Sequence, residues 1–365
     1  MEKLEAVRCY PFKGFSMKSY LRSLCGKGLL IGYTLLTLGC SSPERDQNTL
    51  HISFAIDPST ADPTKNGDPI SSTVHFMLFE GLTRITPEST REPAIAHTID
   101  ISPDGRSYTF HLRNAVWSDG TPVRANDFVL AWQRQLTPGY PAPNAHLFYP
   151  IRGAKAAKLG EAPLSAIGVR AIDDATLFVE LKEPTPYFLE LTSFCPFFPI
   201  PSHIATADPD WAVDPGPSFV SNGPYRIEKW EPRNSLIFGK NSHYWEANRV
   251  TLDRIECAII EDSTTALNLY RKGELDVLGA PFTSIPLDAI EELSDTLLTY
   301  PVAATTICPL NLNHPILQNK NMRKALAYSV DRESIVSNIM RHNEEVATGP
   351  VPPIMKGGMN WDFYR

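Results

Sequence analysis

Side chains that could carry chemistry are spread along the chain, but they do not form a recognisable catalytic pattern. The sequence holds six cysteines and nine histidines among 365 residues. It contains no GxSxG, HExxH, GxGxxG or GxxxxGK[ST] pattern, so it predicts no nucleophile elbow, zinc protease or nucleotide-phosphate loop. No Cys-x-x-Cys pair and no two histidines at close spacing predict a metal site. We therefore expect a protein that is not an enzyme and that needs neither a metal nor a cofactor.

Residues 1–39 have the composition of an export signal. An apolar run over residues 28–39 follows three basic residues, Lys18, Arg22 and Lys27. A basic segment, a short apolar segment and a small-residue exit are typical of a secretory signal peptide. The run is shorter than the roughly 20 apolar residues that span a bilayer. Met17 is a more typical start for such a leader than Met1.

Cys40 is the one cysteine with a chemical context. The sequence Leu38-Gly39-Cys40 is followed by two serines, and it resembles a bacterial lipobox, in which the cysteine is lipidated. We therefore predict lipidation of Cys40, a polar tether over residues 40–50, and membrane attachment through the N-terminal lipid only. The alternative is an ordinary cleaved signal with a coincidental cysteine.

The charge of the exported part excludes one class of partner. The whole chain has 34 basic and 41 acidic residues, a formal charge of −7. Without the six basic and two acidic residues of the leader, 28 basic and 39 acidic residues remain, a charge of −11. Duplex nucleic acid is bound through clustered lysine and arginine, so we expect no nucleic-acid partner.

Three cysteines remain in the exported part besides Cys40, at positions 195, 257 and 308. Their distant spacing is not a disulfide framework. One disulfide could form in an oxidising compartment, but we predict separate buried thiols.

Hydrophobic periodicity predicts both strands and helices. Alternating patterns predict strands over residues 51–56, 107–113, 177–181, 225–230, 236–239 and 274–278. Helical spacing and capping residues predict helices over residues 72–80, 126–136, 264–271, 321–328 and 332–341. The two types of element mix without strict alternation, which predicts an α/β fold of the mixed α+β type. Seven of the 32 prolines lie in residues 195–224, which we interpret as a stiff crossing between domains.

Several short blocks occur in an order that resembles a known family. They are Leu78-Phe79-Glu80-Gly81-Leu82, Trp117-Ser118-Asp119-Gly120-Thr121-Pro122, Asn222-Gly223-Pro224-Tyr225, Tyr244-Trp245, Tyr270-Arg271-Lys272-Gly273-Glu274 and Arg323-Lys324-Ala325-Leu326. Each block is short, but the ordered series over residues 51–355 resembles the oligopeptide-binding lipoproteins of bacterial ABC importers, the peptide and nickel solute-binding proteins of family 5.

The resemblance implies a bilobed, periplasmic-binding-protein-like type II fold with a small inserted domain. The first lobe would comprise residues 51–82 and 205–305, the inserted domain residues 83–204, and the start of the second lobe residues 306–365. Members of the family are longer, so we expect the second lobe to be incomplete, as in the product of a split or decayed gene.

The same resemblance implies a function in transport. The chain would be a monomeric, exported, periplasm-facing or cell-surface component that binds oligopeptides and delivers them to ABC permease and ATPase subunits. One alternative keeps the fold but changes the ligand to a nickel complex, haem or a murein peptide. Another is a lipoprotein fragment with no role in transport.

The resemblance also indicates candidate residues for the ligand cleft. The first group forms a loop aligned with the family segment that pairs with the peptide backbone, and comprises Asn66, Gly67, Asp68, Pro69, Ile70 and Ser71. The second group lies where the chain re-enters the first lobe, and comprises Asn222, Gly223 and Tyr225. Tyr225 could equally be a core aromatic residue.

Overall fold

The computed structural model describes residues 46–300, 302–341, 344–352 and 354–355. The predicted export signal, Cys40 and the first part of the predicted tether lie outside these residues. The predictions made for them stay predictions.

The described residues contain ten strands. In chain order they are β1 (Thr49–Phe54), β2 (Thr83–Ile85), β3 (Arg91–Pro93), β4 (Ala96–Ile101), β5 (Ser107–Leu112), β6 (Val169–Asp173), β7 (Thr176–Glu180), β8 (Tyr225–Glu231), β9 (Ser235–Lys240) and β10 (Arg254–Ile259). The predicted hairpin over residues 225–239 is confirmed as β8 and β9. The strand predicted over residues 51–56 starts and ends two residues earlier, because its pairing with β10 runs from Thr49 to Phe54.

Ten α-helices accompany the strands in the described part of the chain. They are α1 (Pro69–Leu78), α2 (Ala125–Leu136), α3 (Ala154–Lys158), α4 (Phe188–Leu191), α5 (Ser202–Ala205), α6 (Ser263–Arg271), α7 (Ile290–Leu293), α8 (Pro315–Gln318), α9 (Lys320–Ser329) and α10 (Arg332–Ser334). A π-helical segment, Ile335–Met340, continues α10, and Asp331 caps that helix as predicted. Helices and strands together confirm the mixed α/β class.

One predicted strand is wrong. Residues 274–278 form no strand, and the bonds of Asp276 to β1 are made partly through its side chain. The backbone N–H of Asp276 donates to the carbonyl of His51 at 2.8 Å, and its carboxylate accepts the N–H of His51 at 2.7 Å. The carboxylate thus takes the place of the second backbone partner that a strand would supply.

Two four-stranded sheets organise the chain. The first has the order β1-β10-β9-β8, with β1 parallel to β10 and the other neighbours antiparallel. The second has the order β4-β5-β7-β6 and is antiparallel throughout. The first sheet is built from residues 49–54 and 225–259, and the second lies between them in sequence. The predicted domain boundaries themselves stay a prediction.

The proline-rich crossing is anchored to helix α2. Trp132 donates through Nε1 to the carbonyl of Phe197 at 3.0 Å, and Gln135 donates through Nε2 to the carbonyl of Pro196 at 2.6 Å. The Phe197 ring stacks on Phe148 with 4.1 Å between centroids. All five residues are buried, so the crossing forms part of the core.

Residues 302–340 are the least buried part of the described chain. Helices α8, α9 and α10 and the π-helical segment bury no residue. Most of their apolar residues, including Ile316, Met322, Leu326 and Ile339, are exposed. Apolar residues at helical spacing normally bury one face of a helix, so these helices lack the packing that stabilises α1 and α2.

We expect helix α9 to be only marginally stable in the 365-residue chain. An unpacked helix of ten residues is too short to be stable in water on its own. Its amides should therefore exchange with deuterium at least about 100-fold faster than those of β9, which lies inside the first sheet. Hydrogen-exchange mass spectrometry of peptides from both elements tests this expectation. Comparable protection of α9 and β9 would contradict it.

Candidate functional site

An open groove lies beside the end of β1 and has a volume of about 600 Å³. This volume is within the range of ordinary small-molecule and peptide sites. Its walls come from residues 57–62 and Lys65, from Pro141 and Pro143, from residues 209–210 and 212–215, and from Trp230 and Pro232 near the β8–β9 turn. The groove thus brings together segments that are up to about 175 positions apart in the sequence.

Asp62 fixes the first wall. It caps a 3₁₀ turn by accepting the N–H of Thr64 at 2.9 Å and its hydroxyl at 2.6 Å. The other carboxylate oxygen lies 3.7 Å from the guanidinium of Arg134 and 3.3 Å from the hydroxyl of Tyr140. Because Arg134 is on α2, this ion pair between a half-buried arginine and a buried aspartate ties the groove wall to the layer of the second sheet. Asp62 is therefore a structural anchor whose charge is already compensated.

Proline makes the groove rigid and poor in hydrogen-bond donors. Six of its 17 lining residues are proline, and these have no backbone N–H. Several other lining N–H groups are used inside the fold. Ser59 donates to Ser71 Oγ at 2.9 Å, Asp62 to Thr60 Oγ1 at 3.0 Å, and Val213 to the carbonyl of Asp210 at 2.9 Å. Acceptors therefore outnumber free donors along the walls.

Asp57 stands at the junction of β1 and the β8–β9 turn. Its Oδ2 accepts the backbone N–H of Arg233 at 2.8 Å. Its Oδ1 is shielded from solvent and has no hydrogen-bond partner among the described residues. A carboxylate oxygen in that situation is costly unless a donor reaches it. Asp57 was not among the residues selected from the sequence.

The six residues selected from the first loop do not line the groove. Pro69, Ile70 and Ser71 form the first turn of α1, which starts three residues earlier than predicted because Asp68 caps it through the N–H of Ser71 at 2.8 Å. Asn66 is buried and donates to Ser72 at 3.0 Å, and a β-carbon on Gly67 would lie 3.1 Å from Pro143. These residues pack behind the residues that line the groove. Their direct contact with a ligand stays a prediction.

Asn222 and Gly223 join β8 to the end of α1. The Asn222 side chain accepts the N–H of Glu80 at 3.2 Å and donates to its carbonyl at 3.1 Å. The N–H of Gly223 donates to the carbonyl of Leu78 at 2.8 Å. A β-carbon on Gly223 would lie only 2.6 Å from the Leu78 carbonyl carbon, so this approach requires glycine.

Tyr225 belongs to the core. The sequence left open whether it is a core aromatic residue or part of the ligand cleft. It is 9% exposed and its hydroxyl donates to the carbonyl of Leu252 at 3.3 Å. Neither it nor the Asn222–Gly223 pair lines the groove. A direct role of these three residues in ligand contact stays a prediction.

A second cavity, of about 470 Å³, lies beside an ionic cluster centred on Glu80. Glu80 is buried and accepts hydrogen bonds from the Tyr244 hydroxyl at 2.9 Å and from the indole of Trp245. Arg84 contacts Glu80 at 3.3 Å and Glu246 at 2.6 Å. Burial raises the pKa of Glu80 despite these partners. Since every carboxylate here is paired, we interpret the cluster as a structural junction.

His75 lies directly under the loop that forms the first wall. It is fully buried on α1, and its Nδ1 is 2.9 Å from the amide nitrogen of Asn66. Since that amide is a donor, Nδ1 accepts and the ring is neutral. Burial lowers the pKa of His75 to about 4.

The remaining chemical candidates among the described residues are three cysteines. Cys195 and Cys257 are buried free thiols, as predicted, and burial raises the pKa of Cys195 to about 12. Cys308 is a free thiol too, but it is exposed, so the prediction of burial is wrong for it. In the part of the chain that the structure describes, no three His, Cys, Asp or Glu side chains are placed to hold a metal. No helix within the described ranges is long and apolar enough to cross a bilayer.

The fold is similar to that of solved substrate-binding proteins. The substrate-binding domain of an oligopeptide ABC transporter from Bacillus anthracis superposes with a TM-score of 0.71 at 30% identity, covering 84% of this chain and 60% of that one. The murein tripeptide-binding protein MppA of Escherichia coli superposes with a TM-score of 0.77 at 29% identity, covering 85% and 61%.

The chain belongs to the bacterial extracellular solute-binding proteins, family 5, whose middle region matches residues 90–364. Its similarity to the oligopeptide-binding protein OppA of Bacillus subtilis is 38% identity over 316 residues, or 86% of this chain and 58% of that protein. The dipeptide-binding protein DppE of the same organism is 32% identical, over 91% of this chain and 63% of DppE. The chain therefore spans about 60% of the length of these relatives.

Proposed function

We propose that the protein is the solute-binding component of an ABC importer and binds oligopeptides. The observation that carries this proposal is the open groove of about 600 Å³ at the end of β1, in a chain whose relatives include oligopeptide- and dipeptide-binding proteins. The groove has rigid, acceptor-rich walls and a Trp230 ring at its edge. An extended peptide offers a row of N–H donors that such walls can accept.

The proposal includes the site of action. The family consists of extracellular solute-binding proteins. We propose that this chain is exported by its leader and is attached to the bacterial membrane through a lipid on Cys40, as a monomer facing the periplasm or the cell surface. Permease and ATPase subunits would then receive the peptide from it.

Calorimetry with short peptides tests the proposed function. We expect tri- to penta-alanine to bind the 365-residue chain with a Kd on the order of 10 μM. Replacing Trp230 by alanine should weaken binding about tenfold, because it removes the large flat side chain at the groove edge. Tyr187→Ala is the matched control, since Tyr187 is 56% exposed and does not line the groove. Absence of binding by every peptide would overturn the proposal.

A further inference from the structure

Two histidines lie side by side on the second sheet, away from both cavities described above. The rings of His97 on β4 and His111 on β5 have their centroids 6.4 Å apart. His97 is exposed, and the side chain of His111 is 36% exposed. Neither residue lines the groove or the cavity beside Glu80. The pair is therefore open to solvent and separate from the proposed peptide site.

A bulge in the edge strand β4 brings the two rings together. Ala96 pairs with Leu112 and Thr98 pairs with His111, so His97 is an extra residue on β4. His97 and Thr98 are both exposed, whereas successive residues of a regular strand point to opposite faces. The bulge thus turns His97 to the face of the sheet that carries His111.

Asp100 orients the His111 ring. Its Oδ2 lies 2.8 Å from His111 Nε2, and this nitrogen donates because a carboxylate can only accept. In the neutral ring the other nitrogen, Nδ1, then keeps its lone pair. A histidine that donates one ring N–H to a carboxylate and binds a metal through its other nitrogen is common in metal sites. The charge of Asp100 also favours a cation nearby.

The spacing of the two rings suits one metal ion between them. Bonds from zinc to imidazole nitrogen are about 2.0–2.1 Å long, so two imidazoles on one tetrahedral zinc ion have their centroids about 5 Å apart. The observed separation of 6.4 Å is longer by about 1 Å. Because the His97 side chain is exposed, a small rotation about its side-chain bonds can close this gap.

From these observations we propose that His97 and His111 bind a divalent transition-metal ion, with Asp100 as a positioning residue and water completing the coordination. Imidazole suits zinc, copper and nickel, whereas magnesium prefers oxygen ligands. The site has two protein ligands, so it differs from sites with three or more, none of which exists among the described residues. A metal ion bound there joins β4 to β5 and stabilises the folded state. The proposal does not depend on peptide binding.

Calorimetry of the 365-residue chain with zinc chloride at pH 7.5, after treatment with EDTA, tests the proposal. We expect Zn(II) to bind with a Kd on the order of 10 μM, and Mg(II) not to bind in this range. His97→Gln and His111→Gln should each weaken Zn(II) binding at least about tenfold. His146→Gln is the matched control, because His146 is exposed and contacts no other histidine ring in the described part of the chain. Absence of Zn(II) binding, or equal affinity in the wild type and both variants, would overturn the proposal.

Thermal unfolding locates the metal independently. Adding about 100 μM Zn(II) should raise the unfolding temperature of the wild type by about 2–4 °C and that of either histidine variant by less than about 1 °C. An equal rise in all three proteins would place the metal elsewhere and overturn the proposal.

Two variants of Asp100 test its positioning role. Asp100→Ala should weaken Zn(II) binding about tenfold. It should leave the unfolding temperature of the metal-free protein unchanged, because the Asp100 side chain is 75% exposed. Asp100→Asn keeps an acceptor oxygen for His111 and should recover part of the affinity. Unchanged Zn(II) affinity in Asp100→Ala would overturn the role assigned to Asp100.

Discussion

Replacing Gly223 by alanine is expected to lower the free energy of unfolding by about 3 kcal/mol. The added methyl group would lie 2.6 Å from both the carbonyl carbon of Leu78 and the nitrogen of Phe79. Both contacts are with backbone atoms, so no side chain can rotate to relieve them. To accept the methyl group, β8 and α1 must separate, which lengthens the 2.8 Å hydrogen bond from Gly223 to Leu78 and disturbs the side-chain bonds of Asn222 to Glu80.

Urea unfolding followed by tryptophan fluorescence measures this effect. Gly216→Ala is the matched control, because a β-carbon at Gly216 meets nothing within 4 Å. The control should stay within about 1 kcal/mol of the wild type. If the two alanine variants were equally stable, the close approach of β8 to α1 would not be a constraint on the fold.

Acidification from pH 7 to pH 4 is expected to cost about 3 kcal/mol of stability through His75 alone. The folded state holds the pKa of His75 at about 4, because the charged ring would be buried. The nearby carboxylate of Asp68 favours the charged ring, but the burial outweighs it. In the unfolded chain the pKa is about 6.5, so that state binds more protons below pH 6.5. The contribution of His75 to the free energy of unfolding is therefore constant above about pH 6.5 and falls as the pH drops towards 4.

The comparison of two histidine variants isolates this effect from the carboxylates that titrate in the same range. His75→Gln keeps a polar side chain that cannot be protonated, so the difference between wild type and variant should shrink with falling pH by up to about 1.4 kcal/mol per pH unit. His97→Gln is the control, because His97 is exposed. A pH-independent difference between wild type and His75→Gln would show that folding does not lower the pKa of His75.

Elements with a strong local pattern were predictable from sequence. Helix α2 and strand β5 were placed to within one residue, because each has a periodic apolar face and a turn or capping signal at its start. The start of α1 was missed because Pro69 reads as a loop residue, although proline in a first turn after an aspartate cap is favourable. The strand at 274–278 was a false prediction because alternation alone does not guarantee a partner.

The groove was beyond sequence reasoning for a different physical reason. Its walls join segments that carry no periodic signal, and only their packing around the end of β1 makes them neighbours. The signal that could have located it is the concentration of proline and aspartate over residues 57–63 and 208–217. The sequence resemblance instead indicated residues 66–71, which lie just beyond the first wall. They support that wall through hydrogen bonds: Ser71 Oγ accepts the N–H of Ser59, and the carbonyl of Asn66 accepts the side-chain amide of Asn144.

The tie between Asp62 and α2 has a mechanical consequence. Ionic, hydroxyl and amide bonds join the segment 62–66 to Arg134, Tyr140 and Asn144. The residues that these bonds join are buried or half-buried. We therefore expect the groove wall and the second sheet to move together as one rigid block. Ligand binding would then not deform this block. A closing motion around the ligand would have to come from another part of the protein that moves relative to it.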